Sequence, residues 1–582
     1  MTDTRIICNP LDLGYRYQDL RFLGISRSVG REAADPSVVA YQNRFFMFAS
    51  MSAGFWHSAD LVQWSFCASS TLPAYEYAPD ARVVDGAIVV CASRRTGRSA
   101  FYRSTDPLGA GFAKAAPGTF PFWDPNLFQD HDDRLYLYWG CSNRTPIHGV
   151  ELDRDSFAPV GSRQAVVAAA ADERGWERTG EDHDPTRKTS TVLSRILGDA
   201  PFIEGAWMTE HAGTYYLQYS APATESNTYG DGYFVSDHPL GPFTYALDSP
   251  YSHKPGGFIT GAGHGSLFRD RYGNWWHAAT MRVSVNFTFE RRLGIFPAGF
   301  DEDGVLFCNQ RFGDYPMTVP AQRADPWTDT FPGWMLLSYR KPVTASSSAA
   351  GHGPDSALNE DIRTWWAAAG CAAGEWIEVD LGGVADVHAV QVNLADHEVA
   401  AYKSPPRLSE LAVAAGAVRA IETRRLVTEY IVEASATGED WTVVLDTRDA
   451  GADRPHGFTA LDRPGRYRYI RFTSSATPYG APVAVSGLRV FGRGRGDIPA
   501  VALAEAKRTG PLNARITWSK SDTADGYLVK YGRHPDKLYH SWTVHDRCDL
   551  DLSTLNAGAD YWVAVDAFNA CGIAEGETIA VR

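Results

Sequence analysis

The 582 residues predict an all-β protein, a five-bladed β-propeller followed by two smaller β-sandwich modules. Three observations predict it. A unit made of a polar residue, a Pro or Gly and an apolar strand recurs five times between residue 35 and about residue 310. Each unit then reverses at residues that turn a chain cheaply and enters a second apolar strand. Two later stretches alternate apolar and polar residues as half-buried strands do.

The five openings are Asp35-Pro36-Ser37-Val38-Val39, Asp80-Ala81-Arg82-Val83-Val84, Asp124-Pro125-Asn126-Leu127-Phe128, Glu204-Gly205-Ala206-Trp207-Met208 and His264-Gly265-Ser266-Leu267-Phe268. Read this way, only the second lacks the Pro or Gly. The turns fall at Gln42-Asn43, Asp85-Gly86, Asp132-Asp133, Ala212-Gly213 and Tyr272-Gly273-Asn274. Second strands follow at Phe45–Phe48, Ala87–Val90, Leu135–Tyr138, Tyr215–Tyr219 and Trp275–Ala278. Five units of about four short strands, set radially, make a propeller, whereas a series of sandwiches would not need one opening five times. The expected modules are 1–325 for the propeller, 334–492 for the second unit and 498–582 for the third, after the run Gly492-Arg493-Gly494-Arg495-Gly496.

Composition narrows the function. The net charge is -14 and the basic residues are scattered, which excludes the electrostatic footprint of a nucleic-acid binder. No apolar run reaches the roughly 18 residues of a membrane span. The start, Met1-Thr2-Asp3-Thr4-Arg5, does not resemble a signal peptide. The chain as written is therefore expected in the cytoplasm, or in the periplasm or medium if Met1 replaces a removed signal. The eight cysteines have no zinc-type spacing and are expected to be free and mostly buried. An aromatic share of 12%, with 17 Trp and 27 Tyr, suits stacking on sugar rings as well as β packing.

In a propeller the innermost strands line the axis, so residues opening different blades converge at one mouth of the channel. Three of the five openings carry the carboxylates Asp35, Asp124 and Glu204, and a fourth carries His264. Cleaving a glycosidic bond takes one carboxylic acid to protonate the leaving oxygen and one carboxylate to serve as base or nucleophile. A third carboxylate can orient the acid and raise its pKa. The apolar setting Phe202-Ile203-Glu204-Gly205-Ala206-Trp207 favours a protonated Glu204.

Ala34-Asp35-Pro36-Ser37, Trp123-Asp124-Pro125 and Ile203-Glu204-Gly205-Ala206-Trp207, in this order, resemble the catalytic signatures of glycoside hydrolase family 43, over roughly residues 9 to 320. The resemblance implies an inverting hydrolase with Asp35 as general base, Glu204 as general acid and Asp124 as orienter and pKa modulator. It implies that Arg291 contacts sugar hydroxyls and that a metal or water, commonly calcium, sits near His264. A structural Ca2+ is thus an expectation, and no other cofactor is. Departures are Tyr77-Ala78-Pro79 where the family more often has Trp, and Ala206 where it usually has Pro. Trp56, Trp123 and Trp207 are read as a sugar platform or as blade packing. The acidic stretch from Glu173 to Asp184, around Trp176, is read as a solvated loop or a lid.

The second unit resembles the discoidin (coagulation factor 5/8 type C) module through Thr364-Trp365-Trp366, Trp376-Ile377-Glu378-Val379-Asp380-Leu381-Gly382 and Tyr467-Arg468-Tyr469-Ile470-Arg471-Phe472. It reads as a sugar binder or a buttress. Residues 396–428 have no counterpart there and read as an inserted loop or helix. The third unit resembles a fibronectin type III domain, with a tyrosine corner at Leu555-Asn556-Ala557-Gly558-Ala559-Asp560-Tyr561. The expected substrate is a carbohydrate with a terminal α-L-arabinofuranosyl group; β-D-xylosidase and exo-galactosidase activities stand beside it, and a non-catalytic lectin is the alternative of another class.

Overall fold

The computed structural model describes residues 5–22, 26–73, 77–94, 96–187, 200–403, 410–414 and 417–582. It is nearly all β, with 48% strand and 3% helix. Five antiparallel sheets built around four consecutive strands form the blades. Blade 1 is Ser37–Tyr41, Arg44–Phe48, Gly54–Ser58 and Trp64–Ala68; blade 2 is Asp80–Val84, Ala87–Cys91, Phe101–Asp106 and Gly111–Ala116. Blade 3 is Asn126–Gln129, Leu135–Trp139, Ile147–Leu152 and Pro159–Val167. Blade 4 is Glu204–His211, Thr214–Ala221, Gly230–Ser236 and Thr244–Tyr245, with Ser252–His253 added. Blade 5 is Thr260–Arg269, Trp275–Arg282, Arg291–Phe300 and Leu306–Cys308.

Hydrophobic packing holds neighbouring blades face to face, as where Val38, Met47 and Trp56 of blade 1 meet Phe268, Trp276 and Ile295 of blade 5. Packing of this kind does not set a blade's rotation about its own strands. Two rings of hydrogen bonds do. In the upper ring the N–H of an opening residue donates to a hydroxyl at the end of the preceding blade's second strand. Asp35 donates to Thr280 (2.8 Å), Ala78 to Ser50 (2.7 Å), Asp124 to Ser93 (2.8 Å) and His264 to Ser220 (2.9 Å). Between blades 3 and 4 a backbone bridge from Ser142 to Ile203 takes that place.

The lower ring lies within the innermost strands. Val38 N–H donates to Ser266 Oγ (3.0 Å), Ala81 to Ser37 Oγ (2.9 Å), Leu127 to Asp80 Oδ2 (2.7 Å) and Met208 to Asn126 Oδ1 (2.8 Å). Gln218 Nε2 to Gly265 O (2.8 Å) closes the circle. These pairings correct the reading of blade 2. Its strand begins at Asp80 as blade 1 begins at Ser37 and blade 3 at Asn126, so the residue matching Asp35 and Asp124 is Ala78, with Pro79 after it. Asp35, Ala78, Asp124 and His264 all have positive φ, at 55°, 44°, 49° and 43°. A non-glycine residue rarely adopts that backbone, and here it recurs at one position of four blades.

After the propeller, an eight-stranded antiparallel system runs in the order Met335–Leu336, Ala484–Arg493, Trp376–Leu394, His456–Ala476, Glu429–Ser435, Thr442–Asp446, with Val343–Ala345 and Trp366–Ala367 at its margins. It closes on a core that includes Trp366, Val390, Phe472 and Leu488. The stretch after Asp396 holds a short helix, Val399–Tyr402, and then a hairpin rather than only a loop or helix. The hairpin strand Ala417–Ile421 pairs with Arg16–Phe22, which pairs with Ser26–Glu32, so the second unit adds two strands to a sheet begun before blade 1.

The last unit is a sandwich of a three-stranded sheet (Ala504–Gly510, Asn513–Trp518, Asp549–Leu552) and a sheet built on Gly526–Gly532 and Trp562–Asn569. Asn556 N–H donates to the Tyr561 hydroxyl (3.1 Å), which is the bond of a tyrosine corner. The Glu173–Asp184 stretch is neither a solvated loop nor a lid. Trp176 is wholly buried, Gly175 N–H donates to Leu555 O (2.9 Å), and Arg178 reaches Asn513 (2.7 Å), so this stretch fastens the sandwich to blade 4.

The lower ring makes a stability prediction. Asn126 is buried, accepts from Met208 and donates to Asp80 Oδ1 (3.1 Å). Asn126→Ala strands both groups, at about 1–3 kcal/mol for an unsatisfied buried partner. The urea midpoint of unfolding is expected to fall; an unchanged midpoint would show that the ring does not hold the blades.

Candidate active site

The upper ring aims its side chains into one pocket at the mouth of the channel. Asp35, Asp124, Glu204, His264, Arg291, Tyr77 and Trp123 line it together with Cys141, Phe202, Thr224 and Phe289. Alanine at position 78 gives blade 2 no polar side chain there, and its preceding residue, Tyr77, forms wall instead.

Asp35 is 5% exposed. Burial on its own would raise its pKa, but the Arg291 guanidinium (3.1 Å), the His264 ring (3.4 Å) and the Ser50 and Thr280 hydroxyls hold the carboxyl below its ordinary value. Asp124 is the opposite case. Burial, helped by the charges of Glu204 and Asp35 and opposed by His264 and Ser93, pushes it up to about 7. Burial disfavours a protonated His264, yet Asp35, Asp124, Glu204 and Asp231 overcome that and raise its pKa. The backbone at this opening is held from behind, since Asp231 accepts the backbone N–H groups of His264 (2.9 Å) and Gly265 (3.1 Å).

Glu204 opens blade 4, followed by Gly205 at φ 61°. A Cβ on Gly205 would lie 2.3 Å from Ser220 Oγ and 3.0 Å from the His264 ring, so only glycine lets blades 4 and 5 close at this point. One Glu204 oxygen accepts from the Tyr229 hydroxyl and the other from Cys141 Sγ at 2.9 Å. Neither partner is apparent from the sequence. Tyr229 follows a loop before blade 4's third strand, and Cys141 lies just after blade 3's second strand; neither belongs to a repeat opening. The signal that could have found Cys141 is its position, equivalent to the start of the Ser50 and Ser93 segments.

Two aromatic expectations are corrected. Trp56 lies on the third strand of blade 1, away from the axis, wholly buried against Phe66 (5.1 Å) and Tyr15 (6.5 Å). Trp207 lies three residues beyond Glu204 on the innermost strand, hence below the pocket. Its indole donates to Leu267 O (3.1 Å), and the Arg82 guanidinium covers its ring at 3.4 Å. Trp123 does line the pocket, with its ring 6.1 Å from that of Tyr77. Arg291 and Arg292 alternate along one strand. Arg291 faces the pocket, while Arg292 turns to His456 (2.9 Å) and Arg31 O (2.6 Å) at the contact with the second unit.

The calcium expectation meets an unsuitable donor set. Calcium takes six to eight oxygens. Beside the His264 ring stand single oxygens of Asp35 (3.4 Å) and Asp124 (3.8 Å), two of the six to eight such an ion takes. The one cluster with metal-ligand spacing among the described residues is Asp124, Cys141 and Glu204, whose third donor is a thiol that burial and the Glu204 charge keep protonated. These residues do not make a calcium cage.

Residues 29–306 match the family model described as glycosyl hydrolases family 43, and residues 342–404 match the F5/8 type C domain. A stretch of 196 residues is 30% identical to an arabinoxylan arabinofuranohydrolase of Paenibacillus polymyxa, covering 31% of this chain and 27% of that protein. A β-D-galactofuranosidase of Aspergillus niger is 26% identical over 147 residues, 25% of this chain and 33% of its own length. A β-xylosidase of Xylanibacter ruminicola is 28% identical over 138 residues, 21% of this chain and 39% of its own length. The matches thus span between about a quarter and two fifths of each relative.

The pocket makes a titration prediction. In an infrared difference titration a protonated carboxyl band is expected to disappear as the pH rises through about 7, and Asp124→Asn is expected to abolish that step. A wild-type protein with no carboxyl titrating above pH 6 would contradict the assigned crowding of charge.

Proposed function

We propose, from a chain whose residues 29–306 form a glycosyl hydrolase family 43 domain and which continues into an F5/8 type C domain, an exo-acting inverting hydrolase that removes terminal α-L-arabinofuranosyl groups from plant-type polysaccharides or oligosaccharides. The observation that carries it is the opposite tuning of Asp35 and Asp124, with Glu204 beside them, within one aromatic-walled pocket. Asp35 is kept ionised and serves as general base, taking a proton from the attacking water. Glu204 serves as general acid and protonates the leaving oxygen. Asp124, close to Glu204 and reluctant to ionise beside it, orients that acid.

Arg291 and Tyr77 are placed to contact sugar hydroxyls, with Trp123 as an apolar wall; His264 is placed to hold Asp35 and Asp124 apart and partly neutralised. Two of the three related proteins are named for furanosides, which supports a five-membered sugar ring over a xylopyranose or galactopyranose. Near-burial of Asp35 and Asp124 supports a pocket that accepts a chain end.

The test is turnover of nitrophenyl α-L-arabinofuranoside against the β-xyloside and the galactosides. Glu204→Ala is expected to lower kcat/KM by about 10²–10⁴-fold. No turnover of any glycoside by the wild type would overturn the reading in favour of a lectin, and a first product of retained anomeric configuration would overturn the inverting mechanism. The pH profile of kcat/KM follows from the two shifts. Activity is expected to fall as pH rises through about 7, when Asp124 gives up its proton, and again as pH falls below the ordinary carboxylate range, when Asp35 gains one. The expected curve is a bell with a broad acid shoulder.

A further inference from the structure

The hairpin of the second unit, which follows the residues matched to the F5/8 type C domain, does more than extend a sheet. Its residue Arg419 sits opposite Leu20 in the strand pairing, and its side chain is wholly buried beneath the pocket wall. Nη1 donates to Glu32 Oε2 (2.5 Å) and Nη2 to the Tyr77 hydroxyl (2.9 Å). The other Glu32 oxygen accepts from Arg291 Nη2 (2.7 Å), and Arg291 Nη1 reaches Asp35 (3.1 Å). Tyr77, Arg419, Glu32, Arg291 and Asp35 therefore form one unbroken line from the second unit to the site.

We infer that Arg419 is a positioning residue of the active site, supplied by the hairpin of the second unit, which fixes Tyr77 as a hydrogen-bond donor to a sugar hydroxyl and holds the Glu32–Arg291 pair against Asp35. The inference rests on the glycosidase reading above. The Tyr77 oxygen accepts from Arg419, so its own proton is directed to an acceptor in the pocket. A hydroxyl oxygen of the bound sugar is the chemistry that fits. Glu32 lies between two guanidiniums, each taking one of its oxygens. Without Arg419 the whole Glu32 charge falls to Arg291, which is drawn from Asp35, and the site loses one buried positive charge. The accessory unit is on this view part of the catalytic apparatus, and the hairpin is the means by which it reaches the pocket.

Arg419→Ala and Arg419→Lys in the full chain, with Tyr77→Phe and the two double variants, test this. Arg419→Ala is expected to lower kcat/KM by about 10- to 100-fold, as displaced positioning groups do. It is also expected to move the acid limb of the profile to higher pH, because removing a cation makes Asp35 harder to ionise. Arg419→Lys keeps the charge but cannot serve both partners, so it should restore the limb and not the full rate. Arg419→Lys and Tyr77→Phe should be non-additive, since each breaks the same bond. An unchanged acid limb in Arg419→Ala, or strict additivity of Arg419→Lys with Tyr77→Phe, would overturn the inference. Should Arg419→Ala fail to fold by circular dichroism, the Arg419→Lys cycle decides alone. A wild-type protein inactive on every glycoside would instead overturn the glycosidase reading itself.

Discussion

A side-chain oxygen at the end of one blade that accepts a backbone N–H from the next is the interaction on which the site depends. Thr280, Ser50, Ser93 and Ser220 do this for Asp35, Ala78, Asp124 and His264. The bond fixes an opening residue in a left-handed backbone that it would not choose, and that backbone turns its side chain toward the axis. Ser50 and Ser93 do a second task, donating to the carboxylates of Asp35 and Asp124. Structural closure and orientation of the acids are thus one set of hydrogen bonds. The lower ring through Ser266, Ser37, Asp80 and Asn126 sets the register from which the upper ring starts.

Crowding three carboxylates at such a mouth would be costly if all were ionised, and the surroundings divide the charge unequally. Arg291 and His264 favour the ionised form of Asp35, whereas Asp124 is left with burial and the Glu204 charge against it. Arg291 is itself held by the buried acid Glu32, and the nearby charge of Asp231, which accepts the backbone N–H of His264, favours the protonated His264 ring. Each sign in the pocket is therefore supported one layer out by its opposite, and that layer is where the second unit enters through Arg419. A parallel buried network fastens the same units further back. Arg31 bonds Asp453 (2.8 Å) and Asp396, and Arg292 bonds His456 (2.9 Å). Charges so deeply buried and so fully paired tolerate little relative movement, because losing one partner leaves the other uncompensated.

The blades, the three acids and the His264 opening were legible because a repeat marks them: a polar residue at a strand start recurs at a spacing that local turn chemistry enforces. In blade 2 the repeat points to Asp80 rather than Ala78, because Ala78-Pro79 lacks the acid that marks the others and Asp80, an acid that serves the lower ring, stands two residues on. Trp56 and Trp207 were candidates by proximity in sequence to the openings. A propeller does not preserve proximity, since moving to a third strand goes outward and moving along the first goes down the channel. The calcium expectation came from resemblance alone, and the side chains beside His264 supply too few oxygens for a cage.

By itself the sequence determined the all-β class, the five blades and the identity of the converging carboxylates, since all of these follow from short-range periodicity repeated along the chain. Only the tertiary structure decided that the pKa values of Asp35 and Asp124 move in opposite directions, that Tyr229 and Cys141 hold Glu204, and that Arg419 reaches Tyr77 and Glu32. These are contacts across tens to hundreds of residues with no repeating pattern. A buried charge takes its state from every group packed around it, and those groups are neighbours only after the chain has folded.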